Sequence, residues 1–187
     1  AMTSYYMGLG GYNSLRWTGV GKKKSIWYGG TLGFFFLTSV EVFDGFSSAW
    51  GFSWGDIAFN AGGTALFMGQ QSLWDEQRIL LKYSYHKSDY VDIRPDLLGE
   101  NLIQNTIKDY NGQTYWASAN VASFLKGNSN FPKWLNIAFG YGADGMVGAF
   151  DNSFNPNIKR YRQYYLSLDI DLTRIKTKSK FFNTVLG

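Results

Sequence analysis

The chain has 187 residues, 19% of them aromatic, with 22 glycines, only 3 prolines and no cysteine. This composition excludes a collagen-like or proline-rich disordered chain, and it excludes disulfides, thiol chemistry and zinc–thiolate sites. The formal net charge is +4 and the pI about 9.1, with the basic residues gathered at Lys22–Lys24, at Lys159, Arg160 and Arg162, and from Arg174 to Lys180. Such clusters suit lipid or nucleic-acid phosphate, and each one singly reads equally as a solvated loop. The aromatic content fits a membrane-interface or β-barrel protein as well as an aromatic soluble core.

Taken in chain order, Thr3 to Val20 predicts a first helix, with Tyr6, Leu9, Tyr12 and Trp17 apolar. Its glycines at 8, 10 and 11 each cost about 1 kcal/mol against alanine in a helix, but they permit close helix packing. A basic loop follows, and Ser25 to Phe46 predicts a second helix. Its uncharged run, Ser25 to Val40, is shorter than the roughly 20 residues that a bilayer span wants. Ser53 is a good N-cap for a third helix running to about Gln77, and Asp56 suits its first turn. Gly62 and Gly63 are expected where that helix touches another element. The mean hydropathy of −0.22 argues against a polytopic inner-membrane protein. The expectation is a helical hairpin or bundle buried in protein or lying at a membrane surface.

From Arg78 the period changes to two. Ile79, Leu81, Tyr83 and Tyr85 fall on one side of a strand, and Lys82, Ser84 and His86 on the other. A helix is predicted near 97–108, and Asp109 to Gly112 has turn chemistry. Thr114 to Leu125 reads either as a short helix or as a strand. Alternation returns over Trp134–Gly142 and is clearest over Arg162–Leu172. There Tyr164, Leu166, Leu168, Ile170 and Leu172 oppose Tyr165, Ser167, Asp169 and Asp171. This is the dyad pattern of an outer-membrane strand, and equally of a half-buried antiparallel one.

The fold class is therefore α+β. An N-terminal membrane-associated helical region spans 1–77, and a β-rich region with a helical insertion spans 78–187. The strands form an open sheet or a partial or small outer-membrane barrel, since three clear strands are too few for a closed barrel of eight.

The best candidate site is the polar cluster Glu41, Asp44, Ser53, Asp56 and Asn60. Helical spacing puts each pair on one face, and carboxylates in apolar company need partners. Paired carboxylates can hold a divalent cation or divide into acid and base, but capping and polar bonding between packed helices explain them as well. His86 is the only histidine, which disfavours a histidine triad or a multi-histidine metal site. Neither Gly140-Tyr141-Gly142 nor Gly8 to Gly11 is a phosphate-binding fingerprint. No catalytic residue, metal or cofactor is indicated.

Glu41-Val-Phe-Asp44, Ser53-Trp-Gly-Asp56, Asn60 and Gly63 follow the pattern E-x-x-D, S-W-x-D-x-x-x-N-x-x-G. In this the chain resembles the YfiM-like predicted periplasmic lipoproteins, a domain family of unknown function, and more distantly the VanZ-like membrane proteins. The segments 109–116, 131–146 and 164–180 are similar to longer Bacteroidota members of the family. Members usually carry an Asp and a His just before the first helix, where this chain has Ala1-Met2, and a leader is expected upstream. The resemblance implies an envelope protein at the outer membrane, with no known reaction. The reading that follows is a non-enzymatic, outer-membrane-associated subunit or scaffold. Its expected partners are outer-membrane lipid and other envelope proteins in a complex, and not nucleic acid. The alternative is an envelope lipid- or cell-wall-modifying enzyme using Glu41, Asp44 and Asp56.

Overall fold

The computed structural model describes residues 1–47, 51–125, 131–148, 155 and 157–175. Part of the turn before Ser53, most of the loop Ala149–Asn157, and Lys176, Lys178 and Lys180 of the last basic cluster lie outside these residues. The chain divides into two compact units, Ala1–Arg78 and Ile79–Gly187.

The first unit holds α1 (Met2–Trp17), α2 (Lys22–Gly30), α3 (Leu32–Asp44) and α4 (Trp54–Leu73). The single second helix expected over Ser25–Phe46 is broken at Thr31, whose hydroxyl donates to the Trp27 carbonyl at 2.7 Å. Side-chain bonding back to the preceding turn is a common cause of such a bend. Taken together, Lys22–Asp44 makes 23 residues, long and apolar enough to cross a membrane, with only 22% of its most apolar window buried. The uncharged part, Ser25–Val40, is shorter than a span, and the turns on either side of it bring the run to this length.

Glycine lets α1 lie directly on α2. A Cβ on Gly8 would come within 2.7 Å of the Gly30 carbonyl oxygen, and one on Gly11 within 2.6 Å of that of Gly29. Helix propensity is given up there for backbone contact. Between α1 and α4 the rings of Tyr5 and Tyr12 meet Phe67 edge-on, with centroids 6.2 and 5.9 Å apart. Polar groups complete this core. The Tyr5 hydroxyl donates to Gln77 Oε1 at 3.1 Å, Gln71 Nε2 donates to the Tyr12 hydroxyl at 3.2 Å, and Gln77 Nε2 donates to Gln71 Oε1 at 2.9 Å. The outside is the apolar side, with Trp27, Phe35, Phe36, Phe43, Trp54 and Phe59 all exposed.

The second unit is an antiparallel sheet in the order β1 (Ile79–Tyr85), β2 (Gln113–Asn120), β3 (Leu135–Asp144) and β4 (Tyr161–Ile170). Among the described residues it is open and not closed into a barrel. The β1–β2 connection carries a 3-10 turn (Asp89–Asp92), α5 (Pro95–Leu98) and α6 (Leu102–Lys108), so the helix expected near 97–108 is two short ones. The ambiguous stretch Thr114–Leu125 is both things in turn: β2, then the four-residue α7 (Val121–Phe124). Asn120 makes the switch, its Oδ1 accepting from the Ser123 N–H at 3.0 Å as an N-cap.

Candidate functional site

The register places two unlike faces on the sheet. Leu81, Ala117, Phe139 and Leu166 line up across all four strands on one face, and Ile79, Ala119, Ile137 and Leu168 form the row beside them. Tyr83, Tyr115, Tyr141 and Tyr164 continue the same face. Phe139, Leu166 and Leu168 are exposed on it, the last two at 79% and 70%. The opposite face carries Ser118, Asn120 and Asn136, all essentially without solvent contact. An ordinary half-buried sheet would have this the other way round.

The polar face is one connected network. Lys82 Nζ of β1 lies 2.6 Å from Asp169 Oδ2 of β4 and donates to the Ile170 carbonyl at 3.0 Å. Ser118 Oγ of β2 donates to the same Asp169 oxygen at 2.5 Å, and Asn136 Nδ2 of β3 donates to Ser118 Oγ at 2.8 Å. Asn120 Nδ2 donates to Asn136 Oδ1 and to the Lys133 carbonyl, both at 2.7 Å. In a flat sheet β1 and β4 would stand roughly 14 Å apart. For Lys82 to reach over two strands, the sheet must coil around its polar side, which is therefore concave. Gly140 fits this curvature: a Cβ there would lie 2.7 Å from the Trp116 ring, whose Nε1 donates to Ser84 Oγ at 2.9 Å.

Beside the sheet, the turn at Asp109 is a second buried polar centre. Its carboxylate accepts from the Ser88 N–H and hydroxyl at 3.0 and 2.9 Å, from Asn111 Nδ2 at 3.2 Å and from the Tyr85 hydroxyl at 3.3 Å. Asn111 in turn accepts from the Met146 N–H at 2.6 Å. These bonds pin the long β1–β2 connection to the end of β3. In the same connection, the Arg94 guanidinium hydrogen-bonded to Asp96 holds that carboxyl below its usual range. The sequence shows Asp109 only as turn chemistry. The signal for more is the cluster of small polar residues, Ser88, Asp109 and Asn111, on both sides of one helical insertion.

The sequence-predicted cluster is spread along one end of the helical unit. Ser53 caps α4, its hydroxyl accepting from the Asp56 N–H at 3.2 Å. Glu41 Oε2 accepts from the Ser53 N–H at 2.9 Å, which ties the end of α3 to the start of α4. Asn60 turns toward α1, its Oδ1 accepting from the Ala1 amino group at 2.9 Å and its carbonyl from Ser4 Oγ at 2.8 Å. Asp44 is half-buried and Asp56 is exposed. Only Glu41 and Ser53 are therefore brought together by a side chain of the cluster across the turn. Asp56 is joined to the group through its backbone N–H, which donates to Ser53 Oγ. Among the described residues no three His, Asp or Glu side chains gather as a metal site. His86 is exposed just past β1.

Residues 1–70 match the family described as "Predicted periplasmic lipoprotein (DUF2279)", so the helical unit is similar to a cell-envelope family. That match covers Glu41 through Gly63 and stops before the sheet. No curated protein and no solved structure matches the chain.

Proposed function

We propose that this chain is a non-enzymatic protein of the cell envelope, held at the outer membrane as a subunit or scaffold of a larger complex. In this reading it is a longer Bacteroidota-type relative of the YfiM-like proteins. The convex apolar face of the sheet lies against lipid, and the concave polar face turns toward protein or water. The observation that carries the reading is the inverted sheet: Phe139, Leu166 and Leu168 exposed, Ser118, Asn120 and Asn136 buried. Leaving such a face in water would forgo about 25 cal/mol for each Å² of apolar surface. Outer-membrane strands carry this same alternation, apolar toward lipid and polar inward.

Glu41, Ser53 and Asn60 support the scaffold role. Glu41 and Ser53 serve as helix-end partners, and Asn60 bonds α1 to α4. The experiment is fractionation of cells producing the full chain. The expected result is recovery in the outer-membrane pellet and release only by detergent, with partner proteins co-purifying. Recovery in a soluble fraction without detergent overturns the proposal.

A further inference from the structure

We propose that the end of the helical unit formed by α1's C-terminus and α2's N-terminus seats in the anionic headgroup layer of a phospholipid bilayer, with α2 and α3 running from there into the acyl region. This rests on the membrane reading above and adds to it a headgroup chemistry and an orientation. Three observations carry it.

The first is the order of residues along α2 and α3. Lys22, Lys23 and Lys24 come first. Trp27 and Tyr28 follow one turn later, 60% and 73% exposed, and then Leu32, Phe35 and Phe36, each more than half exposed. At about 1.5 Å of rise per residue, Trp27 and Tyr28 follow Lys24 by roughly 5 Å along α2, and Leu32, Phe35 and Phe36 come past the break at Thr31. Phosphates, an aromatic belt and acyl chains follow one another in a bilayer leaflet in this order. Trp17, 90% exposed, closes α1 at the same end.

The second is electrostatic. The three lysines fill the first turn of α2, where the helix dipole is already positive, and that turn holds no acidic residue and no side-chain cap of its own. Lys22 is paired with Asp75 at 3.1 Å. Lys23 and Lys24 are exposed, and no ion pair among the described residues involves them. Glu41, Asp44 and Asp56 lie at the opposite end of the unit, so an anionic surface attracts one end and repels the other. The third is a groove of about 530 Å³ between α1 and α2, lined by Met7, Gly10, Gly11, Leu15, Tyr28 and Leu32 among others. Its lining suits an acyl chain, and Tyr28 on its wall follows Lys24 by one turn of α2.

The test is flotation of the detergent-purified full chain after dilution into preformed vesicles. One set is phosphatidylcholine alone, and the other is phosphatidylcholine with phosphatidylglycerol. The expected result is stronger partition into the anionic vesicles. Changing Lys23→Gln and Lys24→Gln together should lower that partition about thirtyfold and leave partition into neutral vesicles unchanged. Lys23→Arg with Lys24→Arg should retain it. Far-UV circular dichroism checks that the variants keep their helix. Equal partition of the parent into both vesicle types overturns this inference and leaves the membrane reading standing. So does an undiminished anionic preference in the Gln variant, or capture by a DNA duplex in preference to anionic vesicles. Failure of the parent to enter either vesicle overturns both.

Discussion

At Gly63 a Cβ would collide with the backbone carbonyl of Ala1 and come 2.5 Å from Ser4 Oγ, whereas at Gly62 it would meet open space. Adjacent glycines in one helix thus do different things. Gly63 holds the α1–α4 contact, and Gly62 does not. Gly63→Leu should cost about 1–3 kcal/mol by overpacking. Gly62→Ala should leave stability unchanged or raise it by up to about 1 kcal/mol through helix propensity. Thermal unfolding of the two variants in detergent checks this, and equal midpoints would contradict the packing. Sequence alone flags the pair but not the member, because the choice depends on which side of α4 receives Ser4. The Ser53 cap is legible because its bond is local, three residues long. The partner of Glu41, twelve residues away, is not.

Among the elements, β1, β3 and β4 are written in the sequence by alternation, broken in β1 only at Leu80, and each falls within two residues of its expected ends. β2 is obscured because its outward residues include Ala117 and Ala119, while Trp116 stands on the polar side. Small outward and large inward residues blur a period of two. What the alternation leaves open is which face is buried, since a lipid-facing and a core-facing strand look alike. Leu168 distinguishes them. In water Leu168→Arg at this exposed site should change stability within about 0.5 kcal/mol. Facing lipid it should cost about 2–4 kcal/mol. We expect the larger loss when unfolding is measured in bilayers, and a near-zero change there would mean that the face is not in lipid.

On the scale of the whole molecule, both units bury polar side chains beside a small apolar core and expose many aromatic and aliphatic ones. In the helical unit Ser4, Gln70 and Gln71 are buried while Phe43, Phe46 and Phe59 are exposed. In the sheet the same inversion holds between Asn136 and Leu166. Each unit has its own internal contacts, so residues 1–78 produced alone in detergent should show a helical circular dichroism spectrum and unfold cooperatively. A spectrum without helix would mean that this unit depends on the sheet. Hydropathy averaged over the chain hides the inversion, because buried polar and exposed apolar residues cancel in a mean near zero.

In the described sheet β4 has a neighbour on one side only, and its ten residues present Tyr164, Leu166 and Leu168 beside that edge. An edge strand with an apolar flank is a template for pairing with other chains. If the apolar face meets lipid as proposed, such a chain is a hazard to itself in water before it reaches a bilayer. On that proposal, its delivery would call for an escort that masks β4, or for synthesis slow enough to keep free copies scarce. Overproduction without either would be expected to yield β-rich precipitate rather than folded protein.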